Sequence, residues 1–253
     1  MIRRAVHVLH ALARSDIRMR YGRGRLTMVK WLLDPYAAAG VYLLLVAFVL
    51  DRPGDSAGLS LACAIVPFQL ILMTVLNSLS SVQSRRSIVV NLRFERALIP
   101  FSSAVAEAVG FVATLTLIVV MMIAYGVEPT AAVLWLPVLV ATTFLVAVAT
   151  AYPVALIGLW FPDTRPIMVS LTRAAFFLAP GVVALEQISD ETSDWLRANP
   201  LTGLFEAFRS VFLYGHSPAA WQLLLPCAYA LVTLALFVPL FRREGPQFAK
   251  LVE

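Results

Sequence analysis

This sequence is short of charge. Asp, Glu, Lys and Arg together make 14% of its 253 residues, where a soluble domain carries about 25%. The deficit is uneven: charges gather at a few places and leave long apolar stretches between them, which excludes an ordinary water-soluble globule. Cysteine and histidine are also scarce. Cys63 and Cys227 both fall within apolar stretches, so no disulfide framework or metal site is implied. His7 and His10 stand three apart with no third ligand near them and read as surface polarity. His216, beside Pro218, reads as solvated. The chain has no G-x-x-x-x-G-K-[ST] loop for nucleotide, no G-x-S-x-G, no H-E-x-x-H and no C-x-x-C. Ionisable residues inside the apolar stretches are few, Glu107 and Arg173 being the plain cases. No catalytic residues and no metal are therefore expected. Residues 1–30 carry eight basic residues and no apolar centre, so no cleavable signal peptide is expected at that end.

What remains is apolar and continuous. Hydrophobic residues make 60% of the chain, with a mean hydropathy of +0.82. The runs do not alternate in the manner of a membrane β-barrel, and a bilayer core needs roughly 20 apolar residues per helix. The expected fold is all-α: a polytopic membrane protein of six transmembrane helices, over 32–50, 59–82, 101–125, 132–159, 167–183 and 223–241. Residues 51–55, 126–130 and 161–166 turn the chain between spans. Ahead of them, Ile2, Val6, Leu9, Ala13 and Ile17 recur at helical spacing among Arg3, Arg4, Arg14 and Arg18, the pattern of an amphipathic helix lying on a membrane surface. A basic segment over 21–30 follows. Residues 184–220 are too polar to span. Within them Leu201, Leu204, Phe205, Phe208 and Phe212 share one helical face, with Glu206 and Arg209 toward the other. An interfacial or re-entrant element between spans five and six is expected there, tolerated at membrane depth only against protein.

Orientation follows from counting Lys and Arg by segment. Segments 1–34, 83–100, 162–166 and 242–253 hold eight, four, one and three of the 20. The exceptions are Arg52, Arg197 and Arg209, on the opposite side, and Arg173 within a span. The excess of basic residues places both termini in the cytoplasm. Glu186, Asp190, Glu191 and Asp194 lean the other way, toward the outer loop.

Several blocks resemble one family. Asn199-Pro200-Leu201-Thr202-Gly203-Leu204-Phe205-Glu206-Ala207-Phe208-Arg209 is similar to an N-P-L-T-x-x-[IV]-E-x-x-R element. Arg14-Ser15-Asp16-Ile17-Arg18-Met19-Arg20-Tyr21 with Leu33-Asp34-Pro35 resembles R-D-[LI]-K-x-R-Y … L-[NE]-P. Phe161-Pro162-Asp163-Thr164-Arg165 stands at a short acidic-basic loop, Phe177-Leu178-Ala179-Pro180 resembles an F-x-S-P break, and Glu244-Gly245-Pro246-Gln247-Phe248-Ala249 resembles the tail. In this order and spacing they resemble the membrane subunits of type-2 ABC exporters of polysaccharide: O-antigen, teichoic acid, capsule and galactan. Two places depart from that pattern, 26–30 before Trp31 and the stretch from Phe94 to Pro100.

The resemblance implies a single exporter transmembrane domain over 1–253, forming a homodimer on two copies of a separate ATPase that supplies ATP and Mg. The site would be the bacterial cytoplasmic (inner) membrane. The substrate would be a lipid-linked, polyprenyl-diphosphate glycan, with membrane lipids as the other contacts and no nucleic acid. The alternatives are an ABC exporter of a small molecule or drug, and a polytopic enzyme of lipid-linked sugars.

Three residue sets follow. The cytoplasmic segment 83–100 is long for a connection. Its Arg85, Arg86, Ile88, Val89, Leu92 and Phe94 suit either docking on the ATPase or a headgroup-facing loop. Arg20, Arg23, Arg25 and Lys30 suit either an anionic leaflet or the substrate's diphosphate. Arg173 joins that set if it meets the diphosphate; its alternatives are snorkelling and a pair with Glu107. Tyr36, Tyr42, Phe48, Phe176 and Phe177 suit either channel lining or packing and interface anchoring.

Overall fold

Among the described residues the unbroken apolar runs are helical, and the chain turns where Pro, Gly and charge cluster. The computed structural model describes residues 56–86 and 94–245, with Leu9, 11–13, Ser15, Asp16, Tyr36, Ala37, Gly40 and Phe248. Residues 187 and 190–192 are described by backbone alone. The first expected span, 32–50, lies almost wholly outside the described residues.

Seven helices make up the described chain: α1 (Ala57–Leu79), α2 (Leu98–Ala124), α3 (Leu136–Trp160), α4 (Arg165–Leu178), α5 (Asp190–Arg197), α6 (Pro200–Phe212) and α7 (Ala220–Glu244). No strand occurs among the described residues. Among the described residues four helices are long and apolar enough to cross a membrane: α1, α2, α3 with the 3₁₀ turn that leads into it (Ala131–Trp160), and α7. They coincide with the second, third, fourth and sixth expected spans. At 1.5 Å per residue the 23-residue α1 is about 35 Å long, enough for a hydrocarbon core of about 30 Å.

The fifth expected span, 167–183, has a different form. α4 has 14 residues and stops at Leu178, after which Ala179 is extended at ψ 144°. That is about 21 Å of helix, short of a crossing. Proline at 180 has no N–H to continue the ladder, and the chain goes on as turns until α5 and α6.

α1 is the central helix. Of its most apolar stretch 72% is buried, against 17% for α7. It packs on α2, α3, α4 and α6, while α7 lies across α3 and α6. The α1–α3 contact depends on Gly158. A Cβ there would lie within the Leu79 carbonyl group, 2.6 Å from its carbon, so the two backbones touch as small residues allow in membrane helix pairs. Gln83 then donates from Nε2 to the Gly158 carbonyl at 3.1 Å.

The alternation of the helices sorts the loops to two ends. At one end Tyr152 Oη donates to the Ala97 carbonyl (3.0 Å), Arg242 pairs with Glu95 (3.0 Å), and Val82, Ala97, Phe241 and Phe248 share a cluster. Arg85, Arg86, Arg96, Arg165 and Arg243 lie at this basic end. At the other, Thr130 accepts from the Ala132 N–H and donates to the Gly215 carbonyl (2.9 Å), joining the loops after α2 and α6. Glu128, Glu186 and Asp194 lie here.

Candidate functional site

α6 is built from its motif upward. Asn199 is the N-cap, accepting from the Leu201 N–H at 3.0 Å, and Pro200 occupies the first helical position, where its missing N–H costs nothing. Gly203 lets the backbone of Gln222 in α7 approach, at 3.1 Å from where a Cβ would stand. Gln222 Oε1 accepts from Ser210 Oγ (3.1 Å) and from the Ala219 N–H (2.9 Å), locking α7's first turn to α6. Residues 202–212 are all buried.

This corrects the amphipathic reading of α6. Arg209 is 0% exposed and does not lie on a solvated outer face. Its Nη1 donates to Glu206 Oε1 (2.6 Å) and the Pro180 carbonyl (2.8 Å), Nη2 to the Gly181 carbonyl (3.0 Å), and Nε to Ser60 Oγ (3.0 Å) and the Ser60 carbonyl (3.3 Å). Glu206 Oε1 also accepts from the Leu185 N–H at 3.0 Å. Pro180 and Gly181 stand in the break after α4, where helical partners are missing. A buried carbonyl left without a donor costs several kcal/mol in lipid, by order of magnitude, and the guanidinium fork supplies the donors. Two blocks far apart in sequence, Phe177–Pro180 and Asn199–Arg209, therefore meet in space. The signal was present as a proline break, which strands carbonyls, and a Glu and Arg three residues apart.

The aromatic expectations divide. Phe176 is 1% exposed, wedged between Phe68 of α1 (ring centroids 4.8 Å) and Phe205 of α6 (5.7 Å). Phe177, its neighbour, is 59% exposed. Tyr36 is half-buried and hydrogen-bonded to Thr116 of α2. Tyr42 and Phe48 lie outside the described residues. Arg173 is exposed on α4, and Glu107 of α2 accepts from Asn77 of α1.

At the basic end, the chain after α1 makes a 3₁₀ turn over Gln83–Arg85. Arg85 is 3% exposed. It forms an ion pair with Asp16 and donates from Nη1 to the Ser81 carbonyl (3.0 Å) and from Nη2 to Ser102 Oγ (3.1 Å). Burial lifts the Asp16 carboxyl to about 6, while Arg85 pulls it down and Glu107 adds a smaller upward push. Arg86 is exposed and Phe94 is half-buried against the cluster around Val82. Ile88, Val89 and Leu92 lie outside the described residues, as do Arg20, Arg23, Arg25 and Lys30. Among the described residues no three His, Cys, Asp or Glu side chains gather as a metal site would require.

The chain is 27% identical over 245 residues to the O-antigen export system permease protein RfbA of Myxococcus xanthus, covering 96% of this chain and 94% of that protein. The chain is thus similar to O-antigen export permeases over almost its whole length. Two proteins of the same name from Klebsiella pneumoniae are each 22% identical over 209 residues, covering 82% of this chain and 81% of theirs. No family model matches the chain. This similarity bears out the resemblance read from the sequence blocks.

Proposed function

We propose that this chain is the transmembrane subunit of an ATP-driven ABC exporter that moves an O-antigen-type polysaccharide across the bacterial cytoplasmic membrane. The observation that carries it is similarity to an O-antigen export permease over 96% of the chain, on an all-helical fold with four helices able to cross. The small-molecule alternative is not favoured by these relatives.

The finer assignments belong to the same proposal. Residues 32–50 supply a further span, and α4 with α6 together stand for the fifth, as two short helices that meet at the Pro180 break. The count is then six, with both termini and the basic end cytoplasmic. Two copies assemble on two copies of an ATPase that binds ATP and Mg. Arg86 with Ile88, Val89, Leu92 and Phe94 forms or supports the docking segment. Arg20, Arg23, Arg25, Lys30 and Arg173 meet the diphosphate of a lipid-linked glycan, and Tyr36, Tyr42, Phe48 and Phe177 border its path. Phe176 supports Phe177 from behind.

The test is reconstitution. The chain is co-expressed with its ATPase, placed in proteoliposomes with lipid-linked glycan, and ATP is added on the ATPase side. ATP-dependent movement of the glycan into the lumen is the expected outcome. Hydrolysis with no glycan movement, or movement of small amphiphiles alone, would overturn the substrate assignment.

A further inference from the structure

Asp16 meets the chain after α1 through an ion pair with Arg85, whose side chain is enclosed while that of Asp16 is partly exposed, and its position is unusual for a mere staple. Arg85 is enclosed and Arg86, the next residue, is exposed. The chain therefore passes from the protein interior to the proposed docking segment in one step. On the other side of the pair, Leu12 and Ala13 are buried, so the N-terminal helix is seated where Asp16 reaches Arg85. Four residues further on, the basic segment with Arg20, Arg23, Arg25 and Lys30 begins.

Holding α1 against α2 and α3 does not need this pair. Apolar packing runs along those helices, and the Gly158 contact and the Gln83 hydrogen bond already fix the end of α1. Burying an Arg and an Asp to add cohesion gains little over apolar side chains of the same size, because desolvation offsets the attraction. What a buried ion pair does give is a fixed partner: the guanidinium cannot slide to another acceptor without leaving a charge unpaired. Ser102 and the Ser81 carbonyl hold the same guanidinium from α2 and from the end of α1. A displacement of the segment after Arg85 is thus delivered to the N-terminal helix and to α2 together.

We propose that the Asp16–Arg85 pair is the strut that transmits motion of the ATPase-docking segment to the N-terminal helix and the basic segment behind it. Arg85 and Asp16 are then positioning residues for the coupling of ATP hydrolysis to substrate uptake. This rests on the exporter reading above.

The whole exporter, chain plus ATPase in proteoliposomes with lipid-linked glycan, provides the test. Asp16→Asn keeps the shape of the side chain and removes its charge. It is expected to copurify with the ATPase and to hydrolyse ATP at the basal rate of wild type. Glycan exported per ATP should fall about tenfold, the size of effect a close pair carries. Exchanging the charges, Asp16→Arg with Arg85→Asp, should recover part of that ratio, since a carboxylate at 85 cannot donate to the Ser81 carbonyl. The apolar double variant, Asp16→Leu with Arg85→Met, keeps the packing and should stay uncoupled. A wild-type ratio in Asp16→Asn or in the apolar double variant overturns the proposal, as does an exchange no better than Asp16→Asn. Should Asp16→Asn fail to insert, the apolar and exchanged pairs decide alone by the same ratio. A wild-type chain that binds no ATPase, or moves no glycan, overturns the exporter reading and the strut with it. A coupled wild type beside a coupled apolar variant overturns the strut alone.

Discussion

At the scale of residues, the two buried arginines make opposite demands. Arg209 satisfies backbone, and its removal leaves Glu206 enclosed without its cation and the Pro180 and Gly181 carbonyls without donors. Arg209→Leu should therefore lower stability by about 3–5 kcal/mol, the cost of orphaning one half of a buried pair. Adding Glu206→Leu should recover part of the loss but not all, because the carbonyls stay unserved. Thermal melting of the detergent-solubilised protein reads both, and full recovery by the double variant would show that the carbonyls do not depend on Arg209. Asp16 carries a pH dependence instead. Burial holds its folded value near 6, above the ordinary 3.8, so the folded state keeps this proton more tightly than the unfolded chain. Its contribution to stability is then present below about 3.8 and lost as pH rises through about 6. Acidifying the compartment through pH 6 neutralises the carboxylate facing Arg85, with Glu107 the other charge it feels, and does not unfold the protein through this group. Export per ATP should drop across that range in wild type while melting does not fall on its account. In Asp16→Asn the step in the ratio should be missing; its persistence would assign the step to another group.

At the scale of elements, the α1–α3 crossing rests on a close backbone approach at Gly158. Gly158→Ala puts a methyl group into the backbone of Leu79, which cannot rotate away as a side chain would, and should destabilise by about 1–3 kcal/mol. Gly40→Ala, where a Cβ meets nothing within 4 Å, is the matched control. A loss confined to Gly158→Ala is the expected melting result, and equal behaviour of the two would remove the close-approach argument. Sequence reading reached the long helices because their apolar runs are unbroken and their ends carry Gly, Pro and charge. It did not reach α4 or α6 in their true form. The run 167–183 has the composition of a span, and only the geometry at Ala179 and Pro180 cuts it. α6 carries Glu206 and Arg209, which a hydropathy pattern can only assign to water; that they satisfy one another and a break 28 residues away is a tertiary fact. Nor could spacing pair Asp16 with Arg85, since that contact exists only after α1 and α2 have closed.

At the scale of the molecule, the two ends differ in charge, and their sidedness can be tested. With Cys63→Ala and Cys227→Ala as background, Trp195→Cys presents a thiol at a position 81% exposed on α5. Asp163→Cys presents one at the exposed turn before α4. In intact cells an impermeant thiol reagent should label the first and spare the second until the membrane is opened. The reverse pattern would invert the topology. Labelling of neither before opening would contradict an outward α5.

The place of α6 has a further consequence for how the chain is made. Its slot is bounded by α1, by the break after α4 and later by α7, yet α1 is complete some 120 residues before Pro200 is joined to the chain. Through that interval Ser60 has no guanidinium to receive, and α1, hydrophobic enough to enter lipid by itself, must wait with one flank uncovered. Maturation therefore has a late step, the seating of Arg209, that follows membrane insertion of most of the chain. A released chain truncated after residue 198 is expected to be inserted and still open to protease at the Pro180 break, and the 253-residue chain to be closed there.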